Sequence, residues 1–335
     1  MSDVIKLSHG SGGEASRRLV EDVIAAYLDN EALAPLDDSA VLRLDGGRLA
    51  FTTDSYVVSP IFFPGGDIGS LAVHGTVNDL CMVGATPLAI TLGLILEEGL
   101  PVADLHRILA SIRDACRAAG VDVVAGDTKV VERGSGDCIF INTSGIGKVP
   151  DGLDISAGNA RPGDAVILSG TIGDHGITVL SKREGMDFTT GLVSDSAPLN
   201  GLVAAMLGAT RDIHTMRDPT RGGLATSLNE IASKSGVGIE VDEKAVPVDP
   251  RVEDACDMLG LDVYYIANEG KLVAFVPETE AGGLLSVMKT APYGAQSAII
   301  GRVVAEHPGI VTLNTQVGGR RILGPLSGEL LPRIC

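Results

Sequence analysis

A chain of 335 residues, 45% hydrophobic and 21% charged, is long enough for two domains and ordinary for a globular protein. A formal net charge of -17, no tryptophan and 3% aromatic residues exclude an electrostatic nucleic-acid binder, which needs basic surface and stacking rings. An acidic protein that handles phosphates needs metal ions between its carboxylates and its ligand.

In chain order, the glycine-rich "HGSGGE" precedes "SRRLVEDVIAAYL", which predicts a short helix. "AVLRL" and "RLAFTTDS" around "DGG" predict a hairpin. "IGSLAVHGTVNDLCMVGA" predicts a buried helix and "PLAITLGLIL" a buried strand. Val102, Leu105, Leu109, Ile112 and Cys116 alternate at spacings of three and four, one face of an amphipathic helix opened by Pro101. "VDVVAGDTKVV" and "DCIFINTSGIGKV" are expected to pair as strands. "PDGLDISAGNARPGD" reads as a boundary, giving domains at 1–150 and 151–323. The second half alternates strands ("AVILSG", "KLVAFVP", "SAIIGRV", "GIVTLN") with helices near "GITVLSKREG", "GGLATSLNEIASKSG" and "TEAGGLLSVMKTA". Hairpins mixed with helices in both halves predict an α+β protein. Residues 324–335, with two prolines and two glycines, read as a flexible tail that adds little to either core.

No apolar run approaches the ~20 residues of a membrane span. The start of the chain lacks the basic and apolar regions of a secretion signal, so a cytoplasmic location is expected. Cys81, Cys116, Cys138, Cys256 and Cys335 form no C-x-x-C pair and are odd in number, so neither a disulfide framework nor a zinc ribbon is expected. The first four sit in apolar-periodic segments and read as buried small hydrophobes. Cys335, at the end of "GELLPRIC", has no such setting. It is either an accident or a reagent carried on an arm.

"HGSGGEA" fits the G-x-G-x-x-A dinucleotide fingerprint, but a hairpin follows it rather than a parallel βαβ unit. Gly10, Gly12 and Gly13 are expected instead to bring backbone amides close to phosphates. Asp37 and Asp38 of "LDDSAV", Asp54 of "FTTDS", Asp79 of "VND" and Asp127 of "AGDTK" fall at element ends or in apolar surroundings. Unpaired charge is costly there, and hard oxygen ligands suit Mg2+. Structural capping is the alternative for each acid alone. Arg221, Gly222 and Gly223 of "TRGG" open a helix and offer a guanidinium, amides and a dipole to an anion. A plain turn is the alternative.

Taken together, "HGSGGE", "DDSAV", "TTDS", "VND", "GDTK" and "TRGG" resemble the aminoimidazole ribonucleotide synthetase (PurM-like) superfamily of ATP-dependent enzymes. With "PRIC" added, the chain is similar end to end to that superfamily's carbamoyl dehydratases of [NiFe] hydrogenase maturation. The resemblance implies a two-domain fold and a homodimer whose N-terminal sheets join in a barrel. It implies ATP in a cleft touched by Gly10, Gly12, Gly13, Asn78, Arg221, Gly222 and Gly223. Magnesium would be held by Asp37, Asp38, Asp54, Asp79 and Asp127. A HypF-like carbamoyltransferase would load Cys335, ATP would drive dehydration of the carbamoyl group to a thiocyanate, and a HypC–HypD complex would receive the cyano group on iron. Glu269 of "ANEGKL" would act as base and Lys129 of "GDTKVV" would orient the carboxamide. Two other readings stay open: a phosphotransferase of the same superfamily acting on a free small molecule, and a non-catalytic scaffold that docks through its tail.

Overall fold

A computed structural model describes residues 13–24, 34–44, 47–186, 191–326, 331 and 333–335. Helix α1, Glu14–Leu19, runs into one π turn, and the rest of the helix expected there lies outside the described residues. The hairpin forms from β1, Ala40–Leu44, and β2, Gly47–Tyr56, followed by the short strands β3, Phe62–Phe63, and β4, Gly66–Asp67. Asp67 then caps α2, Ile68–Met82: its carboxylate accepts from the Gly69 and Ser70 amides at 2.7 and 3.0 Å, and Ser70 returns a bond to the Asp67 N–H. Apolar on every side, α2 is buried almost throughout, as its sequence predicts.

Strand β5, Thr86–Glu97, helix α3, Val102–Ala119, and strands β6, Asp122–Val131, and β7, Ile139–Val149, complete the first sheet in the order β1-β2-β7-β5-β6. Here the structure corrects three expectations. Strands β6 and β7 do not pair; α3 supplies the crossover that lets β6 run parallel to β5, and β7 lies on β5's other edge. The buried face of α3 is centred on Ile108, Ile112, Ala115 and Cys116, leaving Val102 68% exposed. Strand β5 is only half-buried, with Leu88 and Ile95 in the open, and β6 is exposed along nearly its whole length.

The second half adds β8, Asp164–Leu168, α4, Asp174–Glu184, α5, Asn200–Ala209, β9, Thr215–Arg217, and α6, Gly223–Ser235. It continues through β10, Gly238–Asp242, α7, Pro250–Leu259, β11, Val273–Pro277, α8, Glu278–Thr290, β12, Ala298–Val304, β13, Val311–Asn314, and β14, Arg320–Ile322. Its strands form a mixed sheet in the order β14-β13-β10-β12-β8-β11-β9. This is an α+β protein with two sheets. One core cluster joins them: Leu71, Val73 and Val77 of α2 share it with Leu202 and Met206 of α5, Ala274 of β11 and Met288 of α8. Ile334, fully packed into the same cluster, shows that the tail does contribute to a core. Cys81, Cys116 and Cys256 are buried as expected, whereas Cys138 is exposed, on a turn where it adopts φ 68°. No helix among the described residues is long and apolar enough to cross a membrane.

Close approach of α2 to β7 depends on Gly145, where a β-carbon would sit 2.8 Å from Thr76 Cγ2 and 3.0 Å from Leu80 Cδ1. Replacing Gly145 by valine should overpack this contact and lower stability by about 1–3 kcal/mol, read as a shift in the urea midpoint at constant slope. Because α2 also carries Asp79, the variant should lose ligand affinity in parallel with stability.

Candidate active site

Where the first sheet meets the 217–223 turn, a cavity of about 230 Å³ is lined by Asp38, Asp54, Tyr56, Asp79, Arg217, Asp218, Arg221, Glu269 and Cys335 among others. It adjoins a second cleft of about 350 Å³ that runs past Arg17, Leu36, Thr226, Ser227 and Lys234. The two share Asp38, Arg217, Asp218, Thr220 and Arg221, so they form one continuous groove.

Carboxylates from three elements converge at the junction. Oxygens of Asp38, Asp79 and Asp218 lie within 4.8 Å of one another. Asp79 comes from the C-terminal turn of α2, where Thr52 Oγ1 lies 2.9 Å from its carboxylate and Ser39 Oγ donates to its carbonyl. Asp38 is braced by Arg217 at 3.3 Å, and Arg217 also pairs with Glu230 at 2.8 Å. Burial is the largest influence on all three acids and pushes each one up, followed for Asp79 and Asp218 by the other carboxylates nearby. Asp218 is pushed up to about 8 and Asp79 well above the ordinary range. Such a set suits a hard cation: oxygen donors only, mutually repelling, and half-buried to buried. Asp218 and Arg217 were missed in the sequence, because the polar, glycine-rich "RDPTRGG" around them reads as a surface turn.

Other expected residues separate. Asp54 lines the cavity. Asp37 does not; its carboxylate accepts from Ser156 Oγ and the Ala157 N–H at 2.8 and 3.1 Å, tying the 37–38 segment to the second half. Asp127 and Lys129 stand on exposed β6, about three-quarters exposed and 3.9 Å from each other, and this chain alone does not bring them to the groove. Asn78 is tied into the scaffold: its amide donates to the Ala197 and Glu269 carbonyls and accepts from the Leu199 N–H, so both its donors are engaged by the chain itself. Gly13 packs against the Leu326 carbonyl, where a β-carbon would sit at 2.3 Å, while Gly10 and Gly12 lie outside the described residues. Gly222 caps α6 at φ 77°, and Gly223 follows at φ 63°. A side chain at Gly223 would strike the Tyr264 and Ile266 carbonyls, so both glycines set the turn that carries Arg221.

The groove's other end is closed by the tail. The Cys335 thiol hydrogen-bonds the Glu269 carboxyl, with Arg221 beside both. Glu269 is buried, and its Oε1 has no hydrogen-bond partner among the described residues. Burial first, then Asp218 and Asp195, hold it well above the usual carboxylate range. The segment behind it is fixed: Asn268 bonds the Pro219 carbonyl at 2.8 Å and the Gly173 N–H at 2.7 Å, and Asp195 accepts from the Glu269 and Gly270 amides.

Residues 36–149 match the model of the AIR synthase related protein N-terminal domain, and 161–314 match that family's C-terminal domain. The chain belongs to the AIR synthase related family. It is 55% identical over 99% of its length to the carbamoyl dehydratase HypE of Azotobacter vinelandii, covering 97% of that protein. Among solved structures it resembles hydrogenase maturation protein HypE in complex with ATP (51% identity, TM-score 0.84, covering 99% of this chain and 100% of that one). It also resembles a chain of a HypE–HypF complex (50% identity, TM-score 0.87, covering 92% and 99%). Family membership agrees with the resemblance drawn from the six motifs and with the two-sheet α+β architecture.

Burial, then Glu269, hold the seated Cys335 thiol well above its ordinary value. A proton that binds the seated state more tightly stabilises seating. Seating is therefore complete below about 8.5, the free thiol value, and weakens as pH rises toward the seated value. Exchange of the Val57 and Ser59 amides, which donate to the tail, should progressively lose protection as pH rises above about 8.5, after correction for intrinsic rates. Replacing Cys335 by serine should flatten that dependence; an unchanged profile in the serine variant would mean that another group governs it.

Proposed function

We propose that this protein is an ATP-dependent dehydratase that converts a carbamoyl group carried on Cys335 to a thiocyanate, for the cyanide ligand of [NiFe] hydrogenase. The observation that carries the reading is the thiol itself: it sits in the acid-lined groove, bonded to a buried glutamate, with an arginine alongside. Relatives named carbamoyl dehydratase match the chain end to end. A free-substrate phosphotransferase would have no use for a thiol at that point, and a docking scaffold none for the buried acids.

The chemistry follows from what a carboxamide lacks. Its oxygen is a poor leaving group and must depart on phosphate. Attack of the carbonyl oxygen on the γ-phosphorus of ATP, with loss of one N–H proton, gives an imidoyl phosphate and ADP. Breaking the C–O bond and removing the second N–H proton then gives S–C≡N and inorganic phosphate. Glu269 would take those protons, since a carboxylate deprived of water is a stronger base than a solvated one. Arg221 would hold the phosphate, and the groove past Lys234 and Thr226 would take the rest of the nucleotide. Asp38, Asp79 and Asp218, with Asp54 at the rim, would hold Mg2+, which neutralises phosphate charge when bound.

A second copy of the chain is the expected partner for β6, whose Val124 and Val130 are 65% and 70% exposed. Such a contact is how Asp127 and Lys129 would reach a groove. A HypF-like carbamoyltransferase would load the thiol, as the solved HypE–HypF complex suggests, and a HypC–HypD complex would accept the product. Cytoplasmic location goes with those partners.

After loading, the C-terminal peptide should gain the mass of a carbamoyl group and lose one water only with Mg-ATP. Glu269→Gln should slow that loss by ~10²–10⁴ while retaining nucleotide binding. Asp79→Asn should instead weaken Mg-ATP binding. A loaded wild-type peptide that never loses water would sink the dehydratase reading, and reversed behaviour of the two variants would reassign the base and the metal ligand.

A further inference from the structure

The seated tail is gripped at successive peptide groups. The Val57 and Ser59 N–H groups donate to the Cys335 and Arg333 oxygens at 3.1 and 3.2 Å, and Arg183 Nη2 donates to the Arg333 carbonyl at 2.7 Å. Between them the Ile334 carbonyl meets His175 Nε2 at 2.7 Å. His175 lies on α4, fully buried, with its ring edge-to-face on Phe63.

Its tautomer follows from the tail itself. The Ile334 carbonyl can only accept, so Nε2 carries the hydrogen and Nδ1 is left to accept. Ser194 Oγ, 2.8 Å from Nδ1 and itself accepting the Ser196 N–H at 3.1 Å, gives its hydrogen to Nδ1. Burial lowers the affinity of the ring for a second proton, which keeps it in this one-donor, one-acceptor form. The next residue, Asp195, accepts from the Glu269 and Gly270 amides and pairs with Lys271 at 3.1 Å. Adjacent residues of one loop thus hold the ring that grips the tail and the backbone of the glutamate that faces the thiol.

We propose that His175 is a positioning residue for this reaction: its bond to the Ile334 carbonyl, in a tautomer matched by Ser194, registers the Cys335 sulfur against Glu269. The proposal rests on Cys335 being the carrier thiol. A peptide carbonyl one residue before the sulfur fixes both the reach and the rotation of the final residue. The Ile334 side chain, packed in the core, fixes the other side of the same unit.

The test compares His175→Leu, which keeps bulk and loses the donor, with His175→Gln, whose amide N–H can replace it. Three quantities are read: ATP affinity, the rate at which iodoacetamide alkylates Cys335 at pH 7.5, and single-turnover water loss from the carbamoylated tail. In the leucine variant alkylation should rise and water loss fall, each about 10-fold, the worth of one buried hydrogen bond. ATP affinity should stay unchanged, and glutamine should recover most of both effects. Ser194→Ala, which leaves the ring in place, should give an intermediate rise in alkylation and serves if the leucine variant fails to fold. Unchanged alkylation and water loss in folded His175→Leu would overturn the proposal, as would a folded glutamine variant no better than leucine. If the wild-type tail is loaded but never loses water, the dehydratase reading fails, while the alkylation comparison still decides whether His175 seats the tail.

Discussion

Three carboxylates held within 4.8 Å of one another, half-buried to buried, are the constraint on which the rest of the architecture turns. Like charges at that spacing repel, and burial compounds the cost, so all three carboxyls are pushed above the ordinary carboxylate range. Arg217 beside Asp38 and the Thr52 hydroxyl on Asp79 offset only part of that cost. The cluster persists because each acid is carried by a different rigid element: Asp79 by α2, Asp38 by the segment that Asp37 and Arg217 pin down, and Asp218 by the turn that Asn268 anchors. A divalent cation with a polyphosphate would relieve the repulsion, which makes ligand binding and relaxation of the cleft one event.

Helix α2 is what makes that arrangement stiff. It packs against the first sheet on one side and against α5 and β9 on the other, and its Asn78 reaches across to the Ala197, Leu199 and Glu269 backbone. The residue read in the sequence as a nucleotide contact forms a clamp between the two halves. Polar residues beside a ligand-binding acid in an apolar helix carry the same signature whether they face ligand or backbone. Only the partners tell them apart.

The sequence was most legible where one physical cause decided the outcome. Apolar residues all round 68–82 specified a buried helix, and the hairpin at 40–56 followed from alternation and turn residues. It was least legible where distant pairing decided: β6 and β7 are neighbours in sequence and apolar alike, yet β5 lies between them. Exposure of β6 likewise could not be read from its valines, because an apolar strand at an edge looks like one in a core. Asp127 and Lys129 were grouped with the buried acids by motif, and their strand leaves them in the open. Asp218 and Arg217 lie five and six residues before the helix start at Gly223, and only the turn between brings them to the cleft.

The tail shows why enclosure and mobility have to coexist here. A thiol that must be loaded by another protein has to be reachable, yet a phosphorylated intermediate has to be shielded from water once formed. A permanently buried cysteine meets only the second need and a free arm only the first. The contacts that seat residues 333–335 are backbone hydrogen bonds, one exposed Arg333–Asp137 pair at 3.0 Å and a single apolar side chain, Ile334. Each backbone bond nets only about 0.5–1.5 kcal/mol, since water replaces it on release. A few such bonds plus one buried isoleucine give a seat that is strongly populated but reversible. The geometry at Glu269 is thereby set by several weak, directional contacts rather than one strong one, which is what a carrier that comes and goes with each turnover requires.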